Sequence, residues 1–239
     1  MTTEHLPIIR NHGVPGTQRA WAIAGLAGLT GLSVRKKLLD WGATSAEIHG
    51  ALPGDELLER ANLTSTRAIT IARPAADVWR WIAQLGQGRG GFYSYDALEN
   101  LVGCEIRSAV RIVPELQKPI VGEEIHLHPD AALIAAVVDP GRALVLSGSV
   151  PIGRTPPFDF TWAFTLADEE PGACRLVVRE RYRYRRWFAG LIVEPTEIIS
   201  FIMSQKMLRG IRHRAVHHDA RRWSQRSQPC EDGAPSPTR

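Results

Sequence analysis

TRAITIARPAADVWRWIAQLG, residues 66–86, changes its period once, and that change decides the fold. Residues 66–71 alternate, with Ile69 and Ile71 on one side and Thr70 on the other, as a half-buried strand does. Pro74 then suits a first helical turn, and Asp77 places a negative charge near the helix N-terminus. Val78, Trp81, Ile82 and Leu85 recur at i, i+3, i+4 and i+7, so one face of that helix packs. A strand therefore runs directly into an amphipathic helix.

Downstream, Gly86-x-Gly88-x-Gly90-Gly91 has the look of a dinucleotide fingerprint in the wrong place. Such a loop follows a strand and opens a helix, whereas this one follows a helix. It reads as a tight corner, with Arg89 expected at its exposed tip. Tyr93, Tyr95 and Asp96 come next. A tyrosine joins an apolar body to a polar tip, which suits either the mouth of a hydrophobic pocket or a pin between packed helices. Ser94 is expected to cap a second helix, with Leu98, Leu101 and Val102 as its packing face and Gly103 as its stop.

From Gly122 onward the period is two. Strands are expected at 123–128, 133–139, 143–149, 159–167 and 175–184, separated by turn signals such as Pro129-Asp130 and Pro140-Gly141. Short connections between them imply an antiparallel meander. A last helix is expected over about 195–217, with Ile198, Phe201, Ile202, Leu208 and Ile211 as its apolar face, widened by Ile199, Met203 and Met207. A sheet with one apolar face needs a cover, and this helix is the natural one. The two together would enclose an apolar cavity.

The chain has 239 residues, a net charge of +4 and 44% apolar residues, enough for a sizeable core. The positive charge is local. Residues 206–226 carry a net +6, leaving the rest of the chain at −2. That is a solvated helix face rather than a nucleic-acid-binding surface, and no nucleic-acid partner is expected. Three scattered cysteines, Cys104, Cys174 and Cys230, exclude a disulfide framework and fit a reducing, cytoplasmic compartment. Residues 20–34, AWAIAGLAGLTGLSV, are apolar but shorter than the ~20 residues that span a bilayer. They read as a soluble or interface-lying helix within an N-terminal extension, 1–62. The main domain is placed at 63–223 and a disordered tail at 224–239.

This order of elements resembles the helix-grip fold of the SRPBCC superfamily, which includes START-like lipid-transfer domains, polyketide cyclases and aromatases, and plant ligand-binding relatives. The resemblance is carried by residues 66–86, by TWAFTL at 161–166 and by EPTEIISFIMSQKMLRGIRHRA at 194–215. GRGGFYSYDALENL, residues 88–101, looks like a bacterial subgroup of that superfamily. The resemblance implies an α+β fold, in which a curved antiparallel sheet wraps a long C-terminal helix. It implies no universal catalytic motif.

Two strands supply the candidate site. In residues 160–166, Phe160, Trp162, Phe164 and Leu166 share a face, and in a grip fold that face lines the cavity. In residues 176–184, Leu176, Val178, Glu180, Tyr182 and Tyr184 share one face, and Arg179, Arg181 and Arg183 the other, expected to be wet. Glu180 would then enter an apolar cavity, where a carboxylate must find partners or shift its pKa. It is either a polar anchor, an acid/base group, or a strand-end residue paired with an arginine. His126 and His128 share a strand face opposite Ile125 and Leu127, but no third ligand is spaced to complete a metal site. No cofactor is expected.

The leading functional expectation is non-catalytic binding or transport of a small hydrophobic molecule, a lipid, polyketide or aromatic compound. The residues expected to meet it are Tyr93, Tyr95, Phe160, Trp162, Glu180, Tyr182, Met203 and Met207. The alternative is a cyclase, aromatase or dehydratase using Glu180, Tyr182 and Tyr93 as acid/base groups. A second alternative is peripheral membrane contact through 20–34 and the basic C-terminal helix.

Overall fold

The period change near Pro74 marks the junction between the first strand of a sheet and the helix that packs on it. A computed structural model describes residues 35–101, 103–148 and 157–226. The apolar segment 20–34, Val102 and the tail beyond 226 lie outside the described residues. The chain divides into two compact units, Met1–Lys37 and Leu38–Arg239, and every element below belongs to the second.

Strand β1 (Leu63–Ile71) leads into α2 (Ala75–Ile82), which buries Val78, Trp79, Trp81 and Ile82. A short helix α1 (Ser45–His49) precedes them, and α3 (Asp96–Leu101) follows the glycine corner. Strands β2 (Glu124–His128), β3 (Ala131–Asp139), β4 (Ala143–Gly148), β5 (Phe158–Glu170) and β6 (Ala173–Tyr184) form the meander. The sheet is six-stranded and antiparallel, in the order β1-β6-β5-β4-β3-β2. Register breaks in β2–β3, β3–β4 and β5–β6 mark bulges, which bend a strand and increase its twist. The long helix α4 (Ala189–Arg226) packs against α2, β1 and β6. An antiparallel sheet gripping a long C-terminal helix is the helix-grip α+β architecture.

The core lies between α2, α4 and the inner face of the sheet. Trp81 and Ile82 from α2 meet Phe164, Leu176 and Val178 from the sheet and Leu208 and Ile211 from α4. At the corner, Gly86 and Gly91 exchange backbone hydrogen bonds of 3.2 and 3.0 Å, with φ of 129° and 71°. α4 crosses close to it. A Cβ on Gly210 would lie 2.3 Å from the Tyr93 carbonyl oxygen, so only glycine permits that approach.

Five expectations are corrected. The compact unit begins at Leu38, well before 62. Ala68 N–H on the edge of β1 donates to Trp41 O at 3.0 Å, and residues 44–58 lie over the outer face of β5 and β6. The arginine face of β6 is consequently covered along most of its length, and of the three arginines expected to be wet only Arg183 is exposed. Arg179 is buried, donating to Thr66 Oγ1, Gly50 O and Asp55, while Arg175 pairs with Glu47 at 2.7 Å and Arg181 with Asp55 at 3.0 Å. Burial would raise the Glu47 pKa, but hydrogen bonds from Arg175 and Thr44 outweigh it and hold the carboxyl below its usual range.

The third correction concerns α3. Leu98 and Leu101 point outward, and Glu99 is the buried residue. Ser94 does not cap the helix, because its hydroxyl donates to Met203 O at 3.0 Å. The helix is instead tied down on its polar side: Asp96 accepts from Ser108 N and Oγ, and Asn100 brackets the backbone of Ile106. The fourth concerns α4, where Met207, Leu208 and Ile211 are buried as expected but Ile198, Ile199 and Ile202 are exposed. Arg89 also differs, pairing with Glu123 and donating to Ala83 O at 3.0 Å.

Candidate functional site

Between α4 and the inner face of the sheet lies a cavity of about 310 Å³. Its apolar wall comes from Phe92 and Ile106 around α3, Leu127 on β2, Phe160 on β5, and Met203 and Met207 on α4. Trp162 on β5 and Glu180 and Tyr182 on β6 complete the sheet side. The antiparallel register sets Phe160 opposite Tyr182 and Trp162 opposite Glu180. The Phe160 and Tyr182 rings lie 4.7 Å apart and those of Trp162 and Phe164 4.9 Å, so the inner face is a continuous aromatic row.

Glu180 does enter the cavity wall, and it arrives with partners. Its Oε1 accepts from Arg67 Nη1 at 3.1 Å and from Ser204 Oγ at 3.0 Å. Its Oε2 accepts from Ser200 Oγ at 2.8 Å and from the Tyr182 hydroxyl at 3.3 Å. Arg67 is itself buried at 2% exposure and also donates to Ser200 Oγ, Ser204 Oγ and Leu38 O. Of the three readings open for Glu180, the arginine pair is the one the geometry realises, deep in the core rather than at a strand end. Burial first, and the Glu180 charge second, push the Tyr182 phenol well above its ordinary pKa, so it remains a proton donor.

Arg67 was missed, although its signal is in the opening stretch. It has the parity of Ile69 and Ile71, so the alternation that buries them turns Arg67 inward too. Ser200 and Ser204 were also missed. They stand four apart on α4, one turn of a helix, and that spacing aims both hydroxyls at one carboxylate.

Of the eight expected ligand contacts, Phe160, Trp162, Glu180, Tyr182, Met203 and Met207 line the cavity, and Tyr93 and Tyr95 do not. Tyr93 is sealed below the corner. Its ring meets Trp81 edge-on at 5.7 Å, its hydroxyl donates to Trp81 O and accepts from Gln84 Nε2, and the Arg214 guanidinium stacks 4.7 Å from its ring centre. It is a pin between α2 and α4. Tyr95 is 40% exposed, with the Lys206 ammonium 5.5 Å from its ring centre.

The other side of the cavity is different. Glu99 lines it with Cys104. Burial, and then the charge of Asp96, raise the Glu99 carboxyl to about 7. Burial and Glu99 raise the Cys104 thiol, which keeps it protonated and a poor nucleophile. His126 and His128 lie off the cavity, each 3.8 Å from a carboxylate oxygen, of Glu124 and Asp130. Among the described residues no three His, Cys, Asp or Glu side chains gather as a metal site, and no helix is long and apolar enough to cross a membrane.

Among solved structures, the chain is similar to the Zhui aromatase/cyclase from Streptomyces sp. R1128, with 15% identity over 66% of this chain and 95% of that one and a TM-score of 0.40. It is also similar to Ara h 8.0201, with 10% identity over 64% and 97% and a TM-score of 0.40. Protein MLL2253 from Mesorhizobium loti gives 15% identity over 62% and 96%, with a TM-score of 0.39. No protein-family model and no curated protein matches the chain. Likenesses at these scores say nothing of chemistry, and the helix-grip assignment rests on the strand order and α4.

Proposed function

We propose that the protein binds or carries a small hydrophobic molecule, a lipid, polyketide or aromatic compound, in the cavity between α4 and the sheet, without chemical turnover. The observation that carries this reading is a largely apolar cavity whose one ion pair is closed on itself. Both oxygens of Glu180 are engaged by Arg67, Ser200, Ser204 and Tyr182. A general base needs a free lone pair within reach of a substrate proton. Glu180 has none to spare, and Tyr93 lies outside the cavity, so the cyclase or dehydratase reading loses two of its three acid/base groups. The volume sits at the lower end of cavities that hold small organic ligands.

The test is calorimetric titration of the full chain with 2-ethylnaphthalene. One saturable site is expected, abolished by Met207→Trp, which fills the cavity from α4. Binding that survives the filling, or no binding at all, would overturn the proposal.

Peripheral membrane contact has an observation of its own, on the C-terminal helix, one of the two segments named for it in the sequence. Leu191, Ile192, Ile198, Ile199 and Ile202 are all exposed and follow helical spacing along one face of α4, and Phe188, just before its start, is exposed as well. Lys206, Arg209 and His213 continue that face and are also exposed. An apolar half followed by a basic half suits an anionic bilayer, with the isoleucines in the acyl boundary and the cations among headgroups. Sedimentation of the full chain with phosphatidylglycerol vesicles should fall when Ile198 and Ile202 are replaced by Asp. Equal sedimentation by that variant would remove this reading.

A further inference from the structure

Two polar atoms at the cavity wall have no partner among the described residues, and they come from different elements. Glu99 on α3 is buried at 7% exposure, and its Oε2 accepts no hydrogen bond. Trp162 on β5 has a buried indole Nε1 that donates none. Both side chains line the cavity. Leaving such an atom unpaired costs on the order of 1–3 kcal/mol, and folded proteins leave few.

The nearest polar cluster serves neither. Glu180 stands directly across the β5–β6 ladder from Trp162, yet its four hydrogen bonds go to Arg67, Ser204, Ser200 and Tyr182. The Glu180 cluster is therefore saturated, while an acceptor-or-donor and a pure donor beside it stay unpaired. An indole N–H can only donate. A carboxyl that keeps its proton near neutral pH can donate and accept.

From this we infer that Glu99 and Trp162 are the ligand-directed polar groups of the cavity, and that the ligand is an uncharged hydrophobic molecule bearing a hydroxyl for Glu99 and a carbonyl or similar acceptor oxygen for Trp162. The inference rests on the cavity being a ligand site. A charged ligand would leave an uncompensated charge in a largely apolar cavity, which costs more than the two open atoms return, so the ligand is uncharged. Specificity then follows from the open pair, because a ligand lacking either group leaves a buried atom unpaired, while the apolar wall accepts any ring system of suitable size.

The experiment compares four naphthalenes by calorimetry on the full chain: 2-ethylnaphthalene, 2-naphthol, 2-acetylnaphthalene and 6-hydroxy-2-acetylnaphthalene. The last carries both groups and is expected to bind at least about tenfold more tightly than the first, as one good hydrogen bond to each open atom allows. Glu99→Leu should erase the advantage of the hydroxyl and keep that of the carbonyl. Trp162→Phe should do the reverse. Glu99→Gln, whose amide still donates and accepts, should retain the hydroxyl preference, which separates recognition from a general loss of packing. Near-ultraviolet circular dichroism checks that each variant keeps its fold. If all four compounds bind equally, or if neither variant changes the ranking, the inference is overturned while the cavity reading stands. If none binds, the cavity reading falls and takes the inference with it.

Discussion

The cavity wall carries two polar sets, a closed one and an open one, and they are built on opposite terms. In one, Arg67 and Glu180 form a buried ion pair, with Ser200, Ser204 and Tyr182 filling the remaining positions. In the other, the Glu99 and Trp162 side chains line the same cavity, each with a buried polar atom that makes no hydrogen bond. The closed set ties β1, β6 and α4 together through their side chains. The open pair ties nothing together and costs stability. A polar group that the fold satisfies belongs to the scaffold, and one that the fold leaves unsatisfied is available to a partner. The carboxylate that sequence parity singles out, Glu180, is on the scaffold side of that division.

The division can be broken most forcefully at Arg67. Arg67→Met leaves the Glu180 carboxylate buried without its countercharge, and should lower stability by about 3–5 kcal/mol in urea titrations. The double variant Arg67→Met with Glu180→Leu should recover most of that loss, because the desolvation of both charges disappears with them. If the single variant costs less than about 1 kcal/mol, the cluster is not the scaffold described here.

Glu99 should behave in the opposite way. Its folded pKa of about 7 lies above its ordinary value of 4.5, so the native state holds a proton that the unfolded chain has released. Below about 4.5 the group is neutral in both states and costs nothing. Stability then falls as pH rises from about 4.5 to 7, and stays lower above that. The loss should be roughly 1–2 kcal/mol, allowing for water at the cavity mouth. Glu99→Gln removes this slope. Melts at pH 5 and pH 8 for both proteins would show it, and an unchanged slope in the variant would place the titration elsewhere. Asp96 and Cys104 lie nearest in charge and should be followed in the same series.

Ser200→Ala, in the closed set again, removes a hydrogen bond to Glu180 Oε2 and one from Arg67, leaving the ion pair in place. A loss of about 1 kcal/mol is expected from thermal melts, with little change in the affinity for 2-ethylnaphthalene. A change in affinity larger than the change in stability would move Ser200 to the ligand side of the division.

Much of this architecture is legible in the residues. The alternation at 66–71, the 3.6-residue period of α2 and the inward parity of Phe160, Trp162, Glu180 and Tyr182 all describe local geometry, and local geometry is what periodicity encodes. What escaped reading is who sits opposite whom. The arginine row of β6 reads as solvated because its acids, Glu47 and Asp55, are more than 120 residues upstream. Arg67 and Glu180 are 113 positions apart, and no window along the chain contains both. Tyr93 and Tyr95 were expected at a cavity mouth, but the left-handed backbone at Tyr93, with φ of 59°, turns its ring under the corner. A positive φ is marked in a sequence by Gly, or by Asn, Asp or His, and a tyrosine there gives no sign of it.

Helix α3 offers the smallest effect and the sharpest discrimination. Apolar spacing alone would bury Leu98 and Leu101 and expose Glu99. The structure reverses this, with Leu98 at 50% and Leu101 at 82% exposure. The reversal has a cause in the side chains of the same helix: Asp96 and Asn100 hold the backbone of Ser108 and Ile106, and those contacts rotate the helix until its polar side faces inward. Leu98→Ser should therefore change stability by less than about 0.5 kcal/mol, as substitutions at exposed positions do. Were Leu98 a core residue, the same change would cost ~2 kcal/mol or more. That larger loss would turn α3 over, carry Glu99 out of the cavity and leave Trp162 without its polar counterpart there.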